Sequence, residues 1–167
     1  MNHKPKKTDK IGIYVDGANM FYGLKGARID YAHFLKWLAQ GRNITQASYF
    51  NASQKENSKM QDFFNHVRKS GFKCYIKQTT KIQATGEWKQ AGIDVFLTVK
   101  AIRWNRLWDT LVIVSGDYDY LPLIDEIKNG FGKKVEVVSF DYCMHPIYKG
   151  FTHRFIDDYM KTLKDIK

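Results

Sequence analysis

The strongest constraint on the fold is one short segment, Thr110–Val114, which reads TLVIV. A continuous apolar run of this length, rich in β-branched residues, is typical of a strand that is buried on both faces. Strands of this kind occur mainly in parallel sheets that are covered by helices on both sides. The segment therefore predicts an α/β protein with a central, mainly parallel sheet.

Strand-like and helix-like segments alternate along the rest of the chain, as such a sheet requires. Besides TLVIV, the predicted strands are Lys10–Val15, Ile44–Asn51, Phe72–Gln78 and Lys134–Phe140, with a short strand or turn near Phe155. The predicted helices are Ala18–Leu24, Tyr31–Gln40, Glu56–Ser70, Gly92–Trp104, Tyr118–Gly130 and a frayed C-terminal helix that includes Tyr159. Between them, Thr79–Gln90 is predicted to be a polar hairpin.

The charge of the chain indicates which kinds of partner it can attract. It has 27 Lys and Arg residues against 17 Asp and Glu residues, a formal net charge of +10. A basic surface attracts polyanions, which include nucleic acids, anionic membranes and acidic proteins. No apolar stretch is long enough to span a membrane, and Met1–Lys10 lacks the apolar core of a secretory signal. We therefore expect a cytoplasmic protein with no membrane partner.

Carboxylates follow two of the predicted strands at the point where each strand ends. Asp16 ends the first strand, and Asp117 and Asp119 come directly after TLVIV. The carboxyl ends of parallel strands lie along the same edge of a sheet, where sites form in folds of this class. Asp94, at the start of a predicted helix, can reach the same edge. Converging carboxylates repel one another, and a bound cation relieves that repulsion.

Oxygen ligands alone select hard cations, so these residues predict a Mg²⁺ or Mn²⁺ site rather than a zinc site. Each residue also has an ordinary structural role open to it. Asp16 can end a strand in a turn, and Asp117 or Asp119 can cap the next helix. Asp94 can be a helix cap and Asn19 a turn residue. The joint pattern at two separate strand ends is more specific than any single member.

The sequence lacks the motifs that other catalytic and ligand-binding chemistries require. The sequence has no phosphate-binding loop, no dinucleotide fingerprint and no nucleophile elbow. Phosphatases with an aspartyl nucleophile after the first strand need Asp-x-Asp, and the second Asp position here is Ala18. Cys74 and Cys143 are isolated, which argues against a zinc site or a disulfide framework.

Four strings of the sequence together resemble the NYN domain family, the LabA/DUF88-type branch of the PIN-like nucleases. These strings are Asp16–Asn19 (DGAN), Gly92–Val95 (GIDV), Ser115–Leu123 (SGDYDYLPL) and Gly132–Val137 (GKKVEV). The similarity extends over roughly Lys10–Tyr159. It implies a three-layer α/β/α PIN-like fold at residues 10–160, between a basic tail at residues 1–9 and a C-terminal tail at residues 161–167.

The resemblance also implies Mg²⁺- or Mn²⁺-dependent ribonuclease chemistry. By motif, the residues of the catalytic metal cluster would be Asp16, Asp94, Asp117 and Asp119. Asn19 would orient a carboxylate or a metal-bound water, with Ser115 in support. Lys100 departs from the family, whose members often carry an acidic residue there. A cation at this position either weakens metal binding or contacts phosphate.

We expect RNA, in single-stranded form, as the partner, and a homo-oligomer stays open. Candidate phosphate contacts are Lys77, Lys81, Lys89, Lys100, Arg103 and Arg106. Candidate stacking residues are Tyr22, Trp88 and Tyr118. Two other functions stay open at this point. One is a non-catalytic RNA-binding regulatory module on the same fold, which the Lys100 departure favours. The other is a metal-dependent phosphohydrolase of small molecules.

Overall fold

The computed structural model describes residues 8–53, 58–81, 83–86, 88–89 and 92–164. Its strands are β1 Lys10–Asp16, β2 Asn43–Ser53, β3 Lys73–Gln78, β4 Thr80–Lys81, β5 Trp88–Lys89, β6 Thr110–Val114, β7 Lys134–Ser139 and β8 His153–Phe155. Strands β4 and β5 pair with each other in an antiparallel hairpin. The remaining strands form one sheet in the order β3-β2-β1-β6-β7-β8, and all of its neighbouring strands are parallel.

The order of the strands places a switch point at the centre of the sheet. From β1 the chain winds outward through β2 to β3, and from β6 it winds the other way through β7 to β8. Strands β1 and β6 are therefore neighbours, with Val15 opposite Val114. Crevices that bind ligands open at the carboxyl ends of strands at such a point. The residues directly after Val15 and Val114 consequently line that crevice.

Helices cover both faces of the sheet. They are α1 Gly17–Leu24, α2 Tyr31–Ala39, α3 Ser58–Lys69, α4 Ile93–Arg103, α5 Leu121–Asp125 and α6 Ile156–Lys164. One core lies between the sheet and α1, α2, α3 and α6, and it includes Ile13, Phe34 and Phe64. The other lies between the sheet and α4 and α5, and it includes Tyr14, Phe50 and Leu97. The predicted three-layer α/β/α architecture is confirmed.

The elements predicted from the sequence are present, with shifted ends. Strand β2 is longer than predicted, and the C-terminal helix α6 continues to Lys164. The predicted helix Tyr118–Gly130 is instead a 3-10 turn, then α5, then a π-helical turn at Glu126–Gly130. Pro122 stands in the first turn of α5, where its missing N–H costs no hydrogen bond. Helix α3 begins at Ser58, and the start predicted at Glu56 lies outside the described residues.

None of the helices in the described part of the chain has the length and apolarity that crossing a membrane requires.

Candidate active site

Asp16 lies at the junction of β1 and α1 and is nearly buried, with 8% of its surface exposed. Its Oδ1 caps α1 by accepting hydrogen bonds from the backbone N–H groups of Ala18 (3.0 Å) and Asn19 (3.2 Å). The turn between strand and helix is tight because of Gly17. A Cβ at that position would lie 2.6 Å from the Tyr49 ring. Glycine therefore allows the close approach that holds Asp16 at the sheet edge.

The other oxygen of Asp16 accepts a hydrogen bond from a buried tyrosine. The Tyr120 hydroxyl donates to Asp16 Oδ2 at 2.9 Å, and the Tyr120 side chain is fully buried. Burial raises the pKa of Tyr120, and the negative charges of Asp16, Asp94 and Asp117 raise it further. Tyr120 thus stays protonated as a donor, and three of the four predicted carboxylates act on this one hydroxyl.

The pKa of Asp16 is raised above its usual range. Burial of the carboxyl group is the largest cause, and the nearby charge of Asp117 acts in the same direction. The hydrogen bonds from the Asn19 and Ala18 N–H groups and from Tyr120 oppose the shift without cancelling it. Burial thus disfavours the ionised form of Asp16, and a bound cation would stabilise it.

The loop after β6 is shaped by hydrogen bonds within its own motif. Buried Ser115 accepts the Asp117 N–H at Oγ (3.2 Å), and Asp117 Oδ1 accepts the Asp119 N–H (3.1 Å). Asn19 Oδ1 accepts the Gly116 N–H at 3.2 Å. Asn19 therefore joins α1 to the β6 loop, which fixes the position of one strand end relative to the other. The carboxylates of Asp117 and Asp119 are exposed.

Tyr148 supports the same loop from the segment after β7. It is fully buried, and its hydroxyl donates to the backbone oxygen of Asp117 at 2.6 Å. Burial raises the pKa of Tyr148, and the charges of Asp117 and Asp119 add to the shift. Neither Tyr120 nor Tyr148 was identified as a site residue from the sequence. Tyr120 had a signal, since it comes directly after the Asp117–Asp119 string, whereas Tyr148 had none.

Asp94, the fourth predicted carboxylate, stands in the first turn of α4. The N-cap of this helix is Gly92, which adopts a left-handed conformation (φ 56°) and forms no side-chain cap. Because Gly92 is the N-cap, Asp94 is not the helix cap that the sequence allowed it to be. The Asp94 side chain is half-buried. Its charge contributes to the raised pKa of Tyr120.

The chemistry of these donors fits a hard divalent cation, because all of the candidate ligand atoms are oxygens. Within the ranges that the structure describes, no group of three or more His, Cys, Asp or Glu side chains is spaced to hold a metal ion. The predicted ligand set Asp16, Asp94, Asp117 and Asp119 therefore stays a prediction.

Lys100 packs against aromatic rings on α4 and β3. Its Nζ lies 4.8 Å from the centre of the Trp104 ring, 5.4 Å from Phe96 and 5.5 Å from Tyr75. Lys77 is a neighbour, with Nζ 5.2 Å from the centre of the Phe96 ring. Lys100 is half-buried among these rings.

The other predicted nucleic-acid contacts lie on several elements, and Arg103 is at the end of α4 opposite to Asp94. Arg103 and Arg106 are exposed at and beyond the end of α4, and Lys81 is exposed on β4. Strand β5 contains Trp88 and Lys89, whose side chains lie outside the described residues. Tyr22 and Tyr118 are 75% and 50% exposed, which leaves both rings open to stacking.

Comparison with known proteins adds to this geometry. A family model of the NYN domain matches residues 10–158. A solved structure, the crystal structure of a protein of unknown function from Vibrio parahaemolyticus, has the same fold with a TM-score of 0.78 and 25% sequence identity. The match covers 93% of this chain and 98% of that chain. No curated protein is significantly similar in sequence.

Proposed function

Because the chain belongs to the NYN domain family of PIN-like nucleases, we propose that it is a metal-dependent ribonuclease that hydrolyses phosphodiester bonds of RNA at the acidic crevice. One observation carries the proposal. The buried Tyr120 hydroxyl donates to Asp16 while Asp94 and Asp117 act on the same group. Carboxylates from β1, from the β6 loop and from α4 all influence this one hydroxyl, which supports an acidic site at the switch point of the sheet.

The ligands of Mg²⁺ or Mn²⁺ would be Asp16, Asp94, Asp117 and Asp119. When bound, the metal supplies a more acidic water and stabilises charge on the phosphate and on the leaving oxygen. The protein contributes a prepared site. Tyr120 and the first turn of α1 fix both oxygens of Asp16. Asn19 and Ser115 hold the β6 loop, so that Asp117 is presented to solvent with its backbone restrained.

The substrate would be bound through its backbone charge. The lysines and arginine proposed for this role are Lys77, Lys81, Lys89, Lys100 and Arg103. Tyr22 and Tyr118 offer exposed rings to unpaired bases, which favours single-stranded RNA over a duplex. A cytoplasmic location and homo-oligomer formation both stay predictions.

A non-catalytic RNA-binding module is the second candidate. The observation that favours it is the spacing of the acidic groups in the described ranges, where no three of them are arranged to hold an ion. Such a module would keep the basic surface and bind RNA without cleaving it.

Cleavage of a labelled single-stranded RNA with Mn²⁺ or Mg²⁺, and with EDTA as the metal-free control, separates the two candidates. The wild-type protein should cleave only with metal. Asp117→Asn should lower the rate roughly 100-fold or more, because a metal ligand contributes several kcal/mol to transition-state stabilisation. Asp62→Asn, on an exposed carboxylate of α3, is the matched control and should cleave normally. Intact RNA with every metal, together with retained RNA binding, would replace the ribonuclease by the binding module.

A further inference from the structure

Two elements beside the acidic crevice present lysines and aromatic rings in alternation. On β3, Lys73, Tyr75 and Lys77 are two residues apart and therefore share one face of the strand. On α4, Phe96, Lys100 and Trp104 are four residues apart and therefore share one side of the helix. We call these six residues the lysine–aromatic ladder.

Contacts between the two elements join the ladder into one surface. Tyr75 lies against both aromatic residues of α4, with ring centres 5.9 Å from Phe96 and 5.6 Å from Trp104. The Lys100 ammonium lies over all three rings. Lys73 and Lys77 are exposed towards the two ends of β3. The Lys73 ammonium lies 5.4 Å from the centre of the Tyr75 ring, and the Lys77 ammonium lies 5.2 Å from the centre of the Phe96 ring.

Among the described residues, no ion pair neutralises the positive charge of the ladder. The ion pairs found among the described residues involve Arg42, Lys134, Lys149, Arg154 and Lys161, and none of them includes a ladder lysine. Each of the three ammonium groups is thus held beside one or more of the ladder rings. Packing of lysine stems on apolar rings fixes where the charges lie while leaving them open to an anion.

The ladder begins at the acidic crevice. Lys77 lies near the carboxyl end of β3, at the edge of the parallel sheet where the crevice opens, and its ammonium is beside Phe96 of α4. From there the ladder runs along β3 back to Lys73, a length of about 13 Å at the usual rise of a strand. A stacked strand of nucleic acid, at about 3.4 Å per nucleotide, would cover it with about four nucleotides.

We propose that the ladder is a binding track for single-stranded nucleic acid, along which the chain of the substrate extends from the acidic crevice. A narrow line of spaced cations between rings matches a strand in which phosphates and unpaired bases alternate. A duplex or an anionic membrane would instead require a broad basic face, and an acidic peptide has no bases to stack on rings. The proposal deepens the ribonuclease assignment, but RNA binding to the ladder can be measured without cleavage.

Lysines on edge strands also serve simply to prevent strand pairing between molecules, so the test must detect binding. Affinity for a fluorescent oligouridylate is measured by anisotropy in EDTA, across a series of salt concentrations. Lys73→Gln/Lys77→Gln should weaken binding roughly tenfold at low salt and reduce the slope of log K against log[salt] by about 1.4, or about 0.7 per lost phosphate contact. Lys100→Met, which keeps the packing on the rings, should reduce the slope by about 0.7.

Lys59→Gln/Lys69→Gln is the matched control, because it removes the same charge from α3 on the opposite face of the sheet. It should leave both affinity and slope nearly unchanged. Thermal denaturation of each variant verifies that the fold is intact. An equal loss in the two double variants, or none in either, would overturn the proposal. So would wild-type binding to duplex RNA, polyglutamate or phosphatidylserine vesicles as tight as binding to the oligouridylate.

A separate assay keeps the two proposals distinguishable. Hydrolysis of bis(p-nitrophenyl) phosphate by the wild-type protein with Mn²⁺ needs the acidic crevice and no RNA track. Hydrolysis with unchanged RNA binding in the ladder variants would leave the ribonuclease standing without the ladder. Absent hydrolysis with the predicted loss of binding would support the ladder and remove the enzyme.

Discussion

Asp16 is held at the site at a cost in stability, because burial and the charge of Asp117 raise its pKa. A carboxyl group whose pKa is raised on folding favours the folded state while it is protonated. That contribution is lost as the pH rises through the pKa of the folded state. At neutral pH without metal, the ionised Asp16 therefore opposes folding.

We predict that Asp16→Asn stabilises the metal-free protein at neutral pH. Asparagine can still cap α1, so the variant removes the charge and keeps the accepting oxygen. The gain should shrink as the pH falls below the normal range of aspartate, where Asp16 is neutral in both the folded and the unfolded state. Urea unfolding at several pH values measures it. Adding Mn²⁺ should stabilise the wild type and not the variant. Lower stability of the variant at every pH would contradict this description of Asp16.

Tyr120 is part of the apolar core, but its hydroxyl also restrains Asp16. We predict that Tyr120→Phe keeps the packing of the ring and removes the donor to Asp16 Oδ2. A hydrogen bond to a charged group contributes roughly 1.5–3 kcal/mol, so stability at neutral pH should fall by about that amount. Mn²⁺ affinity should also change, because one oxygen of Asp16 is no longer restrained.

Tyr118→Phe is the control for Tyr120, since Tyr118 is a half-exposed neighbour in the same 3-10 turn. Calorimetric titration with Mn²⁺ and urea unfolding of the two variants give the comparison. Equal effects in both variants would show that the hydrogen bond to Asp16 has no special role.

At the scale of elements, the sequence predicts the features that local pattern determines. Strand β6 is identified by its uninterrupted apolar run, and Asp16 and Asp117 by their position after apolar runs. The order of strands in the sheet, which makes β1 and β6 neighbours, leaves no mark on local periodicity. The role of Tyr148 is not predictable from the sequence for the same reason. Its hydrogen bond to Asp117 depends on how the segment after β7 folds back.

The lysine–aromatic ladder is also a feature that local sequence patterns do not predict. The two-residue spacing on β3 and the four-residue spacing on α4 are both visible in the sequence, but each alone is typical of an ordinary exposed face. Only the packing of α4 against β3 brings the ladder rings together. The position of Lys100 over these rings likewise depends on tertiary structure.

Helix α4 offers a test of how an element positions the site. Gly92 has a left-handed conformation (φ 56°), and a Cβ there would have no atom of the described residues within 4 Å beyond its chain neighbours. We predict that Gly92→Ala lowers stability by about 1 kcal/mol, the backbone cost of that conformation. It should also weaken Mn²⁺ binding, because the start of the helix sets the position of Asp94.

Gly132→Ala is the matched control for Gly92. Gly132 is also left-handed (φ 64°) with open space around it, and it lies between α5 and β7 away from Asp94. Its stability loss, read from urea unfolding, should be similar, and its Mn²⁺ affinity normal. Normal Mn²⁺ affinity in Gly92→Ala as well would mean that Asp94 is not a ligand.

Over the whole molecule, the proposed function requires a basic surface and an acidic crevice in the same protein. The chain has a net charge of +10, yet Asp16 and Asp117 follow the two strands that are neighbours at the switch point of its sheet. A basic surface draws nucleic acid in, while the acidic crevice alone would repel a phosphate. The two features are compatible if a divalent cation binds between carboxylates and phosphate, as the proposed function requires.

The most direct test of this account is anomalous diffraction from crystals of the protein soaked in Mn²⁺. The account predicts a strong peak in the crevice between β1 and β6, within coordination distance of carboxylate oxygens of Asp16 and Asp117. The peak should disappear in Asp117→Asn and persist in Asp62→Asn. An empty crevice in soaked wild-type crystals, with Mn²⁺ bound only at other carboxylates, would contradict the central claim.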